Sequence, residues 1–450
     1  MLKPLFRAAG LLSVALLVGV LSGCGDAVGG HGAETSGPAP PSPKLIVHEW
    51  GTFTSFSGSD GVQIDYRPLG DNDLPRFVYS DSMLSPFSKR TIFARQRMET
   101  PVTYFYTDVE QDVRVSVAFP GGRLTEFYPP PRSRTVVPAT DGAPRRTEAI
   151  DWGTVHLIPT SRLATHIENP EVARSINRHM EAALVPWTDN DNPYYHARRT
   201  DSALVYVPHR NTSDWETIMP ASDLRGDHVE KFLFYRGTGN FDVPLRAEAL
   251  GGDRFRIANT GSQAVKSAIL VNYEQNVLRF GAAGDVPAGG SIEATLPPAG
   301  EGAANALDEQ LVAALMSSGL YEKEARSMVA TWKQAWYFEP GTRVLCLVPQ
   351  ELTDAVLPLT IEPQPQETLR VMVARLELMT PEEERHLLSL METSSRNEAD
   401  IDETLLNRCL ERGRLAAPAI QRVSRLTDSA TIRAEGERVL ARLAKVHNLF

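Results

Sequence analysis

Val113-Arg114-Val115-Ser116-Val117-Ala118-Phe119 sets a branched or aromatic apolar residue at every second position, with Arg, Ser or Ala between. Successive side chains of an extended chain point to opposite sides, so this spacing predicts a strand with one buried and one wet face. Similar segments lie outward on both sides, at 45–54, 102–106, 154–158, 203–207, 230–235, 254–257, 267–273 and 291–296. Turn residues punctuate them: Gly121-Gly122, three prolines from Pro129 to Pro131, Gly251-Gly252 and Gly289-Gly290. Many short strands with such turns predict a predominantly antiparallel, sandwich-like β body over 44–300 rather than βαβ units. One predicted helix interrupts it, opened by Asn169-Pro170 as N-cap and first helical residue and running to about 184.

From about 303 the period changes. Leu307, Leu311, Val312 and Leu315 mark one helix, and Ala325, Met328, Val329, Trp332, Ala335 and Trp336 mark another. Strands are predicted at 342–348 and 369–378, the second apolar on both faces and therefore central in its sheet. After Thr380-Pro381-Glu382-Glu383-Glu384, a helix cap with acids in its first turn, everything reads as helix. The last two helices, 415–426 and 431–445, resemble a single HEAT-type pair, which cannot bury its own apolar face and must dock on the body or on a partner. The class is α+β, with a β-rich domain at 44–300, an α/β segment at 301–392 and a helical module at 393–450.

Composition narrows the function. The 450 residues are 42% apolar, with 46 basic and 56 acidic side chains and a net charge of −10. That excludes disordered and disulfide-rich classes and argues against nucleic acid, which needs a basic face. Lys3 and Arg7 precede an apolar run from Ala8 to Leu21, too short for a resident membrane helix and of signal-peptide length. It closes with Leu21-Ser22-Gly23-Cys24, which resembles the lipobox of bacterial lipoproteins. By that resemblance 1–23 is removed, Cys24 carries the acyl chains that hold the protein to a membrane, and 24–43, rich in Gly, Ala, Pro and Ser, is a flexible tether. With Gly25 rather than Asp after the cysteine, the resemblance implies an extracytoplasmic place on the outer membrane more than the inner. The two remaining cysteines, Cys346 in an apolar strand and Cys409 in an amphipathic helix, read as buried thiols; a disulfide is the alternative.

Three constellations carry chemistry in kind. Val47-His48-Glu49-Trp50-Gly51-Thr52-Phe53-Thr54 places a potential base beside a carboxylate. In a regular strand the two point to opposite faces, so they converge only at a strand end or a bulge, which Gly51 permits. Glu99, Glu126 and Asp151 stand near Tyr104, Tyr106, Tyr128 and Trp152, the residue types with which a glycosidase flanks a sugar. Tyr194-Tyr195-His196-Ala197-Arg198-Arg199-Thr200-Asp201 supplies ligand-binding candidates in His196, Arg198 and Asp201, against an ordered loop with Arg–Asp pairing. Just before it, Asp189 and Asp191 alternate with Asn190 and Asn192 as a calcium loop begins, without the Gly and Glu that complete one; an Asx turn accounts for them. No His-Glu-x-x-His zinc pattern, Gly-x-Ser-x-Gly elbow or phosphate-cradling Gly-Lys-Ser/Thr loop occurs, and no cofactor is indicated. The Gly237-Thr238-Gly239 string fits a hairpin turn.

The strings at 47–54, 98–106, 233–241 and 371–384 resemble those of a group of bacterial envelope proteins with a His-Glu-Trp-Gly-Thr-Phe-Thr segment near the mature N-terminus. The resemblance spans about 44–390 and transfers no site residue. The expected function is a lipid-anchored binding or scaffolding lipoprotein with an envelope protein or glycan as partner. The alternative is a carboxylate- or metal-dependent hydrolase of envelope polymers, with His48, Glu49 and Glu99 as its candidates.

Overall fold

The computed structural model describes residues 43–65, 74, 78–80, 94–138, 147–162, 192–208, 228–397 and 400–446, all within one compact unit, Pro43–Phe450. Cys24, the tether as far as residue 42, the 169–184 helix, Asp189 and Asp191 lie outside the described residues.

In chain order the first strands are β1 (Ile46–Ser57), β2 (Tyr79–Ser80), β3 (Gln96–Tyr106), β4 (Gln111–Pro120), β5 (Gly122–Tyr128) and β6 (Ser133–Val137). Next come β7 (Thr147–Ile158), β8 (Leu204–Val207), β9 (His228–Glu230), β10 (Leu233–Gly239), β11 (Leu245–Gly251) and β12 (Arg254–Asn259). The last are β13 (Val265–Glu274), β14 (Val277–Val286), β15 (Ser291–Thr295), β16 (Gly341–Val348), β17 (Leu359–Glu362) and β18 (Glu367–Leu378). The helices are α1 (Ala303–Ser317), α2 (Glu322–Tyr337), α3 (Gln350–Val356), α4 (Pro381–Ser394), α5 (Glu403–Arg412), α6 (Ala416–Arg425) and α7 (Ala430–Val446).

The chain is α+β with a β-rich body and a helical C-terminal region. A nine-stranded sheet runs β14-β13-β16-β18-β1-β3-β10-β5-β2, antiparallel except where β1 lies parallel to β18. A six-stranded sheet (β17-β4-β7-β8-β9, with β6 also on β7) and a three-stranded one (β11-β12-β15) complete the body. Val113, Val115, Val117 and Phe119 of β4 point into one core with Val47, Phe53, Leu233 and Met372 of the large sheet. The opposite face of that sheet, with Trp50, Tyr104, Val271, Leu345 and Val373, is covered by α1 and α2 through Leu311, Leu315, Met328 and Trp336.

β18 is central, paired to β16 on one side and β1 on the other, as its two apolar faces require. The residues on either side of position 300 therefore share one sheet. Its two buried faces also explain why β1 does not alternate: Glu49, Thr52 and Thr54 are as buried as Val47 and Phe53. The helical pair α6–α7 packs with α4 and α5 and closes over Phe56, Ile64 and Met379, so its docking surface is the body itself. No helix among the described residues is long and apolar enough to cross a membrane.

The Gly237-Thr238-Gly239 string is not a turn; it lies inside β10. A Cβ on Gly237 would meet the Arg123 carbonyl oxygen at 2.2 Å, and one on Gly239 would meet the Phe119 ring at 2.8 Å. With Gly122, whose Cβ would lie 2.4 Å from the same ring, these positions admit the close approach of two strands over a large side chain.

Cys346 and Cys409 are free, buried in different cores. Burial pushes their thiols up to about 12 and about 11, so little thiolate forms at neutral pH. In a Cys24→Ser chain, Ellman's reagent is expected to find almost no reactive thiol in the native protein and two per chain in denaturant. Rapid native titration of either would contradict the packing.

Candidate functional site

β1 sends His48 and Glu49 to opposite faces of the large sheet, and each finds its own partners. The register explains this: β1 stays regular from Ile46 to Trp50 against β3, and the irregularity between Trp50 and Thr52 comes only after both residues.

His48 is 1% exposed and its Nδ1 donates to Glu324 Oε2 at 2.8 Å. Glu324 sits in the first turn of α2, where the positive end of the helix favours a carboxylate. Its Oε2 also accepts the Tyr321 backbone N–H at 2.8 Å, and its Oε1 accepts the Tyr106 hydroxyl at 2.7 Å. One carboxylate thus caps a helix, orients an imidazole and holds a phenol. Tyr321 covers the imidazole with ring centroids 4.5 Å apart, and Tyr106 meets it edge-on at 5.4 Å. Burial first, and Glu324 second, raise the Tyr106 hydroxyl far above the ordinary phenol range, so it stays a donor. A carboxylate bound to Nδ1 sets the tautomer that leaves a lone pair on Nε2, the arrangement of a general base. Here Nε2 is buried and has no hydrogen-bond partner among the described residues.

Tyr106 also lines a cleft of about 250 Å³ where β1, β3, β7 and β8 meet. Lys44, Asp108, Thr160, Ser161 and Asp201 share its wall. Asp201 bonds Lys323 Nζ at 2.6 Å, one residue before Glu324, so the cleft and the His48 cluster are neighbours through α2. Behind Asp201, Lys231 donates to the carbonyls of Thr200 (3.2 Å) and Ser202 (2.9 Å), and burial pushes its ammonium down to about 8.

The other candidates lie elsewhere. Glu49 is fully buried on the far face, its Oε2 bonded to Arg370 Nε and Nη2 at 2.7 and 2.6 Å and its Oε1 to the Thr103 and Tyr235 hydroxyls. Glu99 stands on the His48 face opposite Thr52, ~13 Å along the strand at ~3.3 Å per residue. It pairs with Arg97 Nε at 2.8 Å and accepts the Thr54 hydroxyl. His48, Glu49 and Glu99 therefore do not share one cleft. Glu126 meets Arg236 in the β5–β10 pair, while Asp151 bonds the Gly153 amide in another sheet. His196 and Arg198 ride on a 3-10 helix, Pro193–Arg198, capped by Asn192. Arg198 grips Glu230 through Nε and Nη2, with Nη2 to Oε2 at 2.6 Å, so the expected Arg–Asp pairing is an Arg–Glu one. Burial, then Arg199, lowers the affinity of His196 for a proton.

Glu324 and Tyr321 escaped the sequence reading because Glu324 is 276 residues from His48 and Tyr is not a capping residue. The only local signal is a Glu three residues after the helix entry. Among the described residues no group of three or more His, Cys, Asp or Glu is arranged to hold a metal ion.

No protein-family model matches the chain, and no curated protein matches it. Among solved structures it overlaps the yeast delta-COP-I mu-homology domain at 7% identity and TM-score 0.25, over 76% of this chain and all of that one. The same yeast domain complexed with a Dsl1 WxWxV peptide overlaps at 7% identity and TM-score 0.21, over 76% of this chain and 98% of that one. Likeness this slight assigns neither a fold family nor a function.

Proposed function

We propose that this is a lipid-anchored binding protein of a bacterial cell envelope, held by acyl chains on Cys24, whose polar cleft at Tyr106, Asp108, Thr160, Ser161 and Asp201 receives one end group or ring of a glycan. The observation that carries the reading is the cleft itself, lined by hydroxyls and by charges of both signs, which match a sugar's alternating donors and acceptors. Its 250 Å³ falls below the ~300–1,000 Å³ of sites that enclose a whole small molecule, so a terminal unit of a larger partner fits better. The hydrolase alternative is weakened by the separation of His48, Glu49 and Glu99 and by the burial of His48 Nε2.

Two measurements test this. Cys24→Ser is expected to move the protein from the membrane fraction to the soluble one; unchanged fractionation overturns the anchor. In the soluble variant, glycan-strand fragments of the cell wall are expected to bind, with Asp108→Asn and Thr160→Ala each weakening Kd about 10-fold, the worth of ~1.4 kcal/mol. Absence of binding, or turnover lost in His48→Ala, would replace the binding reading.

A further inference from the structure

A second cleft, of about 550 Å³, lies between the start of β11 and the end of α6. Its exposed apolar lining is Val62 and Pro244, while Val243 and Leu245 beneath them are buried in the core, and three guanidiniums, Arg95, Arg246 and Arg425, reach its rim. Arg95 is already shared between Asp65 and Asp242, with both contacts at 3.3 Å. The Arg246 and Arg425 side chains make no hydrogen bond or ion pair with any described residue. Three cations against two carboxylates leave one positive charge beside Val62 and Pro244, in a chain whose net charge is −10.

The two uncommitted arginines come from separate parts of the fold, and the backbone of each is held in place. Arg246 is fixed by the β11–β12 ladder, opposite Ala258. Arg425 ends α6, which Arg422 ties to the body through Asp60 at 2.9 Å and to α4 through Glu384 at 2.8 Å. Planar guanidiniums bind a carboxylate through paired N–H donors, and that geometry is best met when the scaffold, not the ligand, pays for the ordering.

We infer that this cleft binds a small monocarboxylate bearing an apolar tail, its carboxylate between Arg246 and Arg425 and its tail over Val62 and Pro244. A single negative charge matches the single excess positive one, and the volume lies inside the range of sites that bury a small molecule. The site is separate from the polar cleft at Tyr106 and does not depend on the reading given to it.

The test uses the Cys24→Ser chain and calorimetric titration with hexanoate, acetate, inorganic phosphate and hexylamine at low salt. Hexanoate is expected to bind at least ~10-fold more tightly than acetate, because the added methylenes leave water. Phosphate is expected to be weaker than hexanoate, and hexylamine not to bind. Arg246→Gln and Arg425→Gln are each expected to weaken hexanoate at least ~10-fold, as loss of a charge-assisted contact does. Both side chains are exposed, so the variants should keep the parent's circular dichroism and Tm, which separates loss of the site from loss of the fold. Absence of hexanoate binding, equal binding of hexylamine or phosphate, or an unchanged Kd in both variants overturns the inference.

Discussion

Glu49→Ala is expected to destabilise the protein by about 3–5 kcal/mol, read as a lower denaturant midpoint with the slope unchanged. The carboxylate is 0% exposed and Arg370 is 2% exposed, and they meet through two nitrogens on one oxygen. Truncation leaves a buried guanidinium with Asp354, the Leu357 carbonyl and, at 3.5 Å, the Tyr235 hydroxyl as its remaining partners, and the Asp354 side chain is half exposed. It also strips the acceptor from the Thr103 and Tyr235 hydroxyls, the latter a phenol that burial, then Glu49, holds well above its ordinary range. The pair's own worth is a different quantity. Replacing both members, Glu49→Leu with Arg370→Met, removes the stranded charge, so the double variant is expected to lose less than the sum of the single ones by about 1–3 kcal/mol. Strict additivity would mean that the two groups do not share one network. Because Glu49 faces away from His48, glycan binding at the Tyr106 cleft should survive in whatever fraction stays folded.

That network shows where sequence reading stops. The 113–119 alternation became β4 because one face of that strand lies on the core and the other is partly wet, the case in which a period of two survives. β1 offers no such contrast: both faces are covered, and buried Glu and Thr residues take the places that apolar residues mark elsewhere. The Ala325–Trp336 spacing located α2 because only one stripe of that helix is buried. β11 and β14 escaped notice because Leu245-Arg246-Ala247-Glu248 has helix-forming composition and β14 carries two glycines. β6 was missed as a short edge strand with Val136 and Val137 exposed. Pairings are a harder matter. β1 and β18 are parallel neighbours some 320 residues apart in sequence, and Glu324 reaches His48 only because the large sheet brings α2 over it. A pattern along the chain encodes which face is buried; it does not encode which distant carboxylate satisfies a buried base.

Trp336→Ala is expected to cost about 3–5 kcal/mol, the range for emptying a fully buried indole. The ring is 0% exposed in the core between α2 and the large sheet, stacked on Trp332 at 6.2 Å and 15°. It has no room to be replaced by a neighbour's movement, since Leu345 and Val373 of the sheet are locked by β pairing on both sides. Its Nε1 has no hydrogen-bond partner among the described residues, so the indole contributes through volume rather than polarity. Trp336→Phe should therefore recover more than half of the loss, whereas an indole held by its N–H would not be replaced by a phenyl ring. The Trp336 carbonyl accepts Arg343 Nη1 at 2.9 Å, a backbone contact that any side chain at 336 retains, so the measured difference reports packing alone. A melting temperature unchanged in the Ala variant would place this face of α2 in water and detach it from the sheet, and with it the Glu324 carboxylate that orients His48.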